Sequence, residues 1–290
     1  MSRFDSILLG DNPFYGVDHL SHERARQRAQ IQSIDNIVNV ITCAYEAGMN
    51  GMVVATRPKL REVISQIRTK SDIVDKLDFY PVMPYAQGYV LKLSESGLIN
   101  TLMDILKSAG LKNDLRMITK GTLGFIKKDL DELFKIFIDV ELLKLKEINI
   151  RTIFLHPVLT DLALALDMKK IFETFRDHLK DQYKIQAGLC TKNFSWLVSK
   201  LNEWDFELAS IMTSFNKAGF LMNPSRTECE NSLQNYDGKV IAMNIMAGGY
   251  LELNEAYDYI LSIPKIRNVV VGASSVQHAQ KTFELLASAN

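Results

Sequence analysis

Cysteine is scarce in this chain, with three residues in 290. Cys43, Cys190 and Cys229 are odd in number, lie far apart and show no CxxC spacing. This pattern argues against both a disulfide framework and a zinc site, and each cysteine is expected to be a small buried apolar residue. We therefore predict a protein of the reducing cytoplasm.

The chain also lacks an excess of charge and a long apolar run. Lysine plus arginine and aspartate plus glutamate number 34 each, so no overall field would hold a nucleic acid or an anionic membrane surface. No apolar run approaches the length of a membrane span, and the first residues lack the apolar core of a secretion signal. We expect a small-molecule substrate as the partner, with no nucleic acid and no membrane.

Linkers are missing as well. No segment rich in Pro, Gly or Ser divides the sequence, and no internal repeat is present. With 47% hydrophobic residues, the chain has enough apolar material for a large core, and α/β barrels commonly reach this length as one domain. The sequence predicts a single domain over residues 1–290.

What the sequence does contain is an alternation of short apolar runs, rich in β-branched residues, with longer segments of helical spacing. Such alternation is typical of parallel strands joined by helices, and eight strands can close into a barrel. The predicted fold class is therefore α/β, a (β/α)8 TIM barrel. The predicted strands are residues 7–10, 51–55, 79–85, 151–156, 184–190, 209–215, 240–245 and 268–272. The predicted helices include residues 33–47, 60–67, 132–146, 162–179 and 254–263.

The third strand has two candidates. Residues 79–85 and 115–120 both have the composition of a strand, and a predicted helix over 94–109 lies between them. We favour 79–85 for the barrel, which makes the stretch around 90–130 an insertion, with 115–120 as the alternative. Further helices are expected to start near 193 and 276, and near 223 with Pro224 near the first turn.

Polar residues that follow strand ends are the candidates for chemistry, because such barrels bind ligands at the C-terminal ends of their strands. The richest stretch, residues 10–19, contains Asp11, Asn12, Tyr15 and His19. Asp11 and His19 are candidates to move protons, and Asn12 is a candidate to bind substrate. The alternative is that Asp11 and Asn12 merely close an Asx-type turn.

His156 ends the fourth predicted strand, and its side chain is expected at the mouth of the barrel as a catalytic group. By contrast, His22 and His178 lie in charged or helical segments and are expected to be solvated surface groups. Aromatic residues in strands more often pack in the core than meet ligands. With that alternative open, the remaining substrate-binding candidates are Tyr85, Gln87 and Asn216.

Two C-terminal segments have the small residues that let a backbone approach a phosphate. One follows the seventh predicted strand, and the other leads from the eighth into a helix, whose N-terminus offers unpaired N–H groups. A serine before a helix is also an everyday N-cap. The predicted cofactor-binding residues are Gly248, Gly249, Gly272, Ser274, Ser275 and Lys281.

The C-terminal third resembles the aldo-keto reductases in the stretches VIAMN to AGG (240–249), YILSIP (259–264) and VVVGASS with His278 (269–278). Residues 184–191 resemble the family's segment near the nicotinamide, and IFLHP (153–157) resembles the strand that carries its active-site histidine. The resemblance covers roughly the second half of the chain. It implies a barrel that holds the phosphates of NADP in its last loops and reduces a carbonyl.

This chain clearly matches the family's catalytic set at one of its four positions. Its members use a tyrosine acid tuned by a lysine and an aspartate, with a histidine that orients the carbonyl. Here Val53 stands in place of the aspartate, and residues 56–59 lack the tyrosine. Lys120 matches the lysine only if 115–120 belongs to the barrel, so His156 alone carries over.

Any proton transfer must therefore recruit other groups, because a buried valine cannot tune an acid. We expect Tyr15 as a replacement acid and Asp11 or His19 as a base. The sequence predicts an NADP-dependent oxidoreductase with a non-standard catalytic set, acting on a small polar carbonyl or polyol. The alternatives are a non-redox lyase or isomerase acting on a phosphorylated small molecule, and a catalytically inactive binding protein.

Overall fold

The computed structural model describes residues 3–16, 33–57, 59–84, 130–146 and 148–288. Strands and helices alternate along this part of the chain. The strands are β1 (Ser6–Gly10), β2 (Gly51–Ala55), β3 (Asp78–Met83), β4 (Thr152–Leu155), β5 (Gln186–Thr191), β6 (Ser210–Ser214), β7 (Lys239–Met243) and β8 (Asn268–Gly272). The helices are α1 (Ile34–Glu46), α2 (Leu60–Lys70), α3 (Ile73–Lys76), α4 (Leu130–Leu142), α5 (Pro157–Ala165), α6 (Lys169–His178), α7 (Phe194–Glu203), α8 (Arg226–Gln234), α9 (Leu253–Leu261) and α10 (Val276–Ala287).

The strands form a closed parallel barrel in which each strand pairs with the next and β8 pairs with β1. The (β/α)8 prediction is confirmed, and every predicted strand overlaps an observed one. The third strand is β3, which pairs with β2 on one side and β4 on the other. The ring is complete without residues 115–120, which lie outside the described residues.

A cluster of apolar side chains fills the middle of the barrel. Each strand contributes one side chain to this inner cluster: Leu8, Val53, Tyr80, Phe154, Cys190, Met212, Ile241 and Val270. Gly188 makes room for the largest ring, because a Cβ at Gly188 would lie 2.5 Å from the Phe154 side chain. Alternate residues on each strand, such as Leu9 and Val54, point outward and pack in the second core beneath the helices. The prediction that Val53 is buried inside the barrel is confirmed.

One helix prediction needs correction. The segment 162–179 forms two helices rather than one, because Asp167 adopts a left-handed conformation (φ 55°) between α5 and α6. Aspartate tolerates this conformation better than most residues, and it ends a helix. Pro224 lies near the first turn of α8, as expected, since it directly precedes the N-cap residue Ser225.

His178 is not the solvated surface group that its helical setting suggested. Only 11% of its side chain is exposed, and Nε2 lies 2.6 Å from Oδ1 of Asp139 on α4. Tyr183 donates its hydroxyl to the same oxygen over 2.7 Å. The expectation was wrong because α4 packs against α6 at this point, a contact between elements distant in sequence.

The cysteines are free, and Cys190 and Cys229 are buried as expected, whereas Cys43 is partly exposed. In the described ranges, no group of three or more His, Cys, Asp or Glu side chains is arranged to hold a metal ion. None of the helices described here combines the length and apolarity that crossing a membrane requires.

Candidate active site

The turn after β1 (residues 11–16, the first loop) lies across the C-terminal end of the barrel. Residues Asn12–Tyr15 form a short 3-10 helix, which ends at Gly16 in the left-handed conformation that glycine favours (φ 66°). Asp11 joins this loop to β2, because its N–H donates to the Val53 carbonyl (3.1 Å) and its Oδ2 accepts from the Ala55 N–H (2.8 Å). Asp11 is thereby fixed at the mouth and only 6% exposed.

Burial changes the acidity of Asp11. Desolvation raises its pKa to about 6, although the positive charge of Arg57 and the hydrogen bond from Ala55 act in the opposite direction. A carboxyl group with this pKa is present in both protonated and ionised forms near neutral pH. Asp11 is therefore suited to both giving and accepting a proton.

Arg57 is the site residue that the sequence did not reveal. It follows β2 in the stretch where the family resemblance leads one to expect a tyrosine, and it is only 8% exposed. Its Nη2 donates to Asn12 Oδ1 over 3.0 Å, and its guanidinium carbon lies 4.3 Å from the Tyr15 ring centroid. The signal available in the sequence was an arginine directly after a predicted strand. At such a position a cation points into the mouth of the barrel.

His156 lies directly after β4 and caps α5. The backbone N–H of Val158 donates to its Nδ1 over 3.3 Å, which places the proton of the neutral imidazole on Nε2. Burial first, and then the charges of Lys192 and Arg57, lower the pKa of His156 to about 4. At neutral pH the ring is therefore an uncharged hydrogen-bond donor.

Arg57 connects the two sides of the mouth. Its charge acts on Asp11 after β1 and also on His156 after β4. Tyr15 belongs to the same group, since burial and the Asp11 charge raise the pKa of its phenol while Arg57 lowers it. The structure thus brings together Asp11, Asn12, Tyr15 and His156 from the predicted set, with Arg57 among them.

Several predicted residues cannot be placed with this group. His19, Tyr85, Gln87 and the alternative lysine, Lys120, lie outside the described residues. Their roles stay predictions.

Asn216 lies after β6 and is fully buried. Its amide nitrogen donates to the Phe220 carbonyl (2.9 Å), and its amide oxygen accepts from the Phe220 N–H (2.8 Å). Both polar atoms of the Asn216 amide therefore bind within the loop that follows β6 and hold this loop closed. Substrate binding by Asn216 remains a prediction, which would require this loop closure to open.

The loop after β7 is built from consecutive tight turns. Ala247, Gly248 and Gly249 all have positive φ angles, of 49°, 73° and 93°. A Cβ added at Gly249 would meet nothing within 4 Å. The space beside this backbone is open, as a bound group approaching Gly249 would require.

The loop after β8 combines packing with a helix start. A Cβ at Gly272 would lie 2.6 Å from Pro13, so this glycine lets the first loop pack on β8. Ser275 is the N-cap of α10, and its hydroxyl oxygen accepts from the His278 N–H over 3.2 Å. The hydroxyl proton of Ser275 is still available to an acceptor such as a phosphate.

Two grooves run along the outer helical surface rather than the mouth. The larger, of about 920 Å³, lies between α1 and α10. The second, of about 510 Å³, lies between the start of α9 and α10 and is lined in part by Lys281, Asn254 and Gln277. Neither groove contains the titratable cluster around Arg57. We place the candidate active site at the mouth, because the groups that can move protons gather there.

Comparisons with known proteins support the fold. No protein-family model and no curated protein matches the sequence. In structure, a Pseudomonas aeruginosa protein assigned to the aldo-keto reductases matches with a TM-score of 0.63 and 13% identity over 98% of this chain and 90% of that one. An aldo-keto reductase from Brucella melitensis gives a TM-score of 0.55 and 12% identity, covering 98% of this chain and 88% of that one.

A further match is an aldo-keto reductase in complex with NADPH, with a TM-score of 0.55 and 10% identity over 97% of this chain and 79% of that one. All three likenesses extend over almost the whole of the present chain, although the sequences have diverged widely. This chain therefore has the (β/α)8 barrel fold of the aldo-keto reductases.

Proposed function

We propose that this protein is an NADP-dependent oxidoreductase that interconverts a small polar carbonyl compound and its alcohol at the mouth of the barrel. The observation that carries the proposal is the cluster of Asp11, Tyr15, Arg57 and His156. It collects proton-transfer groups and a fixed cation at the end where barrels of this kind bind ligands. The fold shared with aldo-keto reductases supports the same conclusion.

The side chains divide the proton chemistry between them. His156 is suited to donate its Nε2–H to the carbonyl oxygen, where negative charge develops during reduction. Asp11 would supply the proton in reduction and accept it in oxidation, because its pKa of about 6 is near the working pH. Tyr15 stays a neutral phenol whose hydroxyl can orient the substrate.

We assign the dinucleotide to the last two loops. The open space beside Gly249 admits a bulky group, and the first turn of α10 presents N–H groups to an anion together with the Ser275 hydroxyl. Ser274 would stand beside Ser275 in this role, and Gly248 would keep the backbone free of a side chain, whereas the space beside Gly272 is filled by Pro13. When bound, the nicotinamide would donate or accept the hydride.

A direct test of the function is turnover of NADPH with a panel of small aldehydes and ketones. His156→Gln and Asp11→Asn should each lower kcat by about 10² to 10⁴-fold, the usual contribution of a group that moves or directs a proton. Asp75→Asn, which changes an exposed carboxylate on α3, should leave kcat unchanged. NADPH binding without turnover of any carbonyl would contradict the proposal. Binding of a sugar phosphate with exclusion of nicotinamide would favour the lyase or isomerase alternative.

Cofactor preference gives a second test. NADPH should bind more tightly than NADH, because its extra phosphate can reach Ser274 and Ser275 with Lys281 as a charge partner. Lys281→Gln should weaken NADPH binding by about 2- to 5-fold, the effect of one exposed charge pair, without affecting NADH. Lys265→Gln, a lysine that binds the carbonyls of Gln234 and Tyr236, is the matched control. Calorimetry at low and moderate salt measures both affinities, and equal affinity for the two dinucleotides would refute the assignment.

A further inference from the structure

Arg57 is a buried cation on a fixed segment of backbone. Its N–H donates to the Ala55 carbonyl over 2.7 Å, and its own carbonyl accepts from Leu60 over 3.1 Å as α2 begins. The neighbouring Thr56 is buried, and its hydroxyl donates to the carboxylate of Glu141 on α4. The position of Arg57 is therefore determined by the barrel and by the outer helical layer together.

The guanidinium itself is held by the first loop. Asn12 accepts one of its N–H groups, and the Tyr15 ring covers the planar group at 4.3 Å. A hydrogen bond and a stacked ring together fix both the position and the orientation of a planar cation, which a lysine could not reproduce. The positive charge consequently has a defined place beside the buried Asp11.

Among the described residues, few side chains contribute charge to this group. Arg57 acts on Asp11, and both Asp11 and Arg57 act on Tyr15. His156 is affected by Arg57 from the β2 side and by Lys192 from the β5 side. Arg57 is thus common to both sides of the mouth.

We propose that Arg57 is the positioning residue of this site. Its guanidinium, held by Asn12 and Tyr15, fixes a permanent positive charge at the mouth, between the loop that carries Asp11 and the strand end that carries His156. This inference rests on the proposed function for the catalytic use of the two groups, whereas the electrostatic arrangement itself can be tested without turnover.

The physical reason is the opposing action of burial and charge on Asp11. Burial disfavours the carboxylate, and Arg57 stabilises it. Without the cation, Asp11 would hold its proton through the neutral range, so it would be a weaker acid in reduction and could not accept a proton in oxidation. On the other side, the same cation disfavours a second positive charge on His156.

The test is an NMR titration of protein labelled with ¹³C at the aspartate carboxyl groups, in which Asp11→Asn identifies the Asp11 signal. Arg57→Gln removes the charge but keeps a side-chain N–H donor for Asn12. Its Asp11 signal should titrate at a pH higher by about 1 or more than in the unmodified protein, since a close opposite charge lowers a carboxyl pKa by that much. Arg57→Lys should give an intermediate value, because the charge is kept and its fixed orientation is lost.

The matched control is Arg68→Gln, which removes an arginine from the far end of α2, where it pairs with Asp75. This variant should leave the Asp11 titration unchanged. An Asp11 titration that does not move in Arg57→Gln, or that falls towards the value of an ordinary aspartate, would overturn the proposal. A fall would mean that Arg57 only keeps the loop closed over Asp11.

Failure of the proposed function gives a different pattern. If no carbonyl is turned over but the Asp11 titration moves upward in Arg57→Gln, Arg57 keeps its assigned role and only the reaction is wrong. If carbonyls are turned over and the titration does not move, the function stands and the role of Arg57 is refuted.

Discussion

At the scale of single residues, Asp11 and His156 depart from their ordinary acidity in opposite directions. Asp11 has its pKa raised from 3.8 to about 6, and His156 has its pKa lowered from 6.5 to about 4, in both cases mainly by burial. The folded protein therefore binds a proton on Asp11 more tightly than the unfolded chain, and a proton on His156 less tightly. Each difference is a dependence of stability on pH.

The signs predict opposite behaviour in two variants. The contribution of Asp11 to the free energy of unfolding falls as pH rises from about 4 to 6, whereas that of His156 increases as pH rises from about 4 to 6.5. Each amounts to about 3 kcal/mol, so they largely cancel in the unmodified protein. Relative to that protein, Asp11→Asn should gain stability as pH rises through this window and His156→Gln should lose it.

Urea unfolding at a series of pH values measures these differences. Asp35→Asn, which changes an exposed carboxylate, serves as the control and should follow the unmodified protein. Parallel curves for all the variants would show that neither Asp11 nor His156 has a shifted pKa.

At the scale of elements, the first loop depends on its contact with β8. Gly272 leaves space for Pro13, and a Cβ there would lie 2.6 Å from the proline ring. Gly272→Ala should therefore displace the loop that carries Asp11 and destabilise the fold by about 1 to 3 kcal/mol, the usual cost of overpacking. Gly249→Ala is the contrast, because its Cβ would enter open space and its cost is backbone strain at φ 93°.

Comparing the two glycine variants separates packing from cofactor binding. Thermal unfolding and NADPH binding should be measured on both. Gly272→Ala should change the titration of Asp11, whereas Gly249→Ala should leave it in place. A Gly272→Ala protein with unchanged stability and an unchanged Asp11 titration would contradict the packing role.

A second contact joins the segment directly after β2 to α4. Glu141 is fully buried on α4 and accepts from Thr56, and its carboxylate also pairs with Lys144. Removal of one partner from a buried charged network is costly, because the remaining groups lose their compensation. Glu141→Ala should lower the free energy of unfolding by about 3 kcal/mol, and Glu141→Gln by less, since an amide can still accept from Thr56.

Chemical denaturation measures the free energy of unfolding of these two variants. Glu132→Gln, an exposed residue on the same helix, is the control. Equal stability of Glu141→Ala and Glu141→Gln would show that the hydrogen bond from Thr56 does not contribute to the free energy of unfolding.

At the scale of the whole molecule, the barrel interior is closed by one side chain from each strand, among them Val53. Val53→Asp should lower the free energy of unfolding by at least about 2 kcal/mol, because a carboxyl group there would be buried among apolar side chains. It should not create ordinary reductase activity, since the lost aspartate is one member of a set that acts as a unit. Urea denaturation and turnover of standard aldehydes test both statements, with Val53→Ala as the control for packing loss, and an active Val53→Asp enzyme would overturn the second.

The sequence alone determined the barrel, because strands and helices are encoded locally. Runs such as 51–55 and 268–272 have the β-branched composition of buried strands. The first coincides with β2 and the second with β8. Residue types at strand ends likewise indicated Asp11 and His156 as site residues. Such signals depend on a few neighbouring positions and can be recognised without any knowledge of tertiary contacts.

What those residues can do depends on contacts that exist only in the folded protein. The role of Arg57 depends on Asn12 and Tyr15 from another strand end, and the pairing of His178 with Asp139 depends on helix packing. Acidity likewise depends on burial, which Asp11 and His156 acquire only when distant segments close around them. The physical reason is that desolvation and Coulomb interactions act through space, so residues far apart in sequence set each other's charge only after the chain has folded.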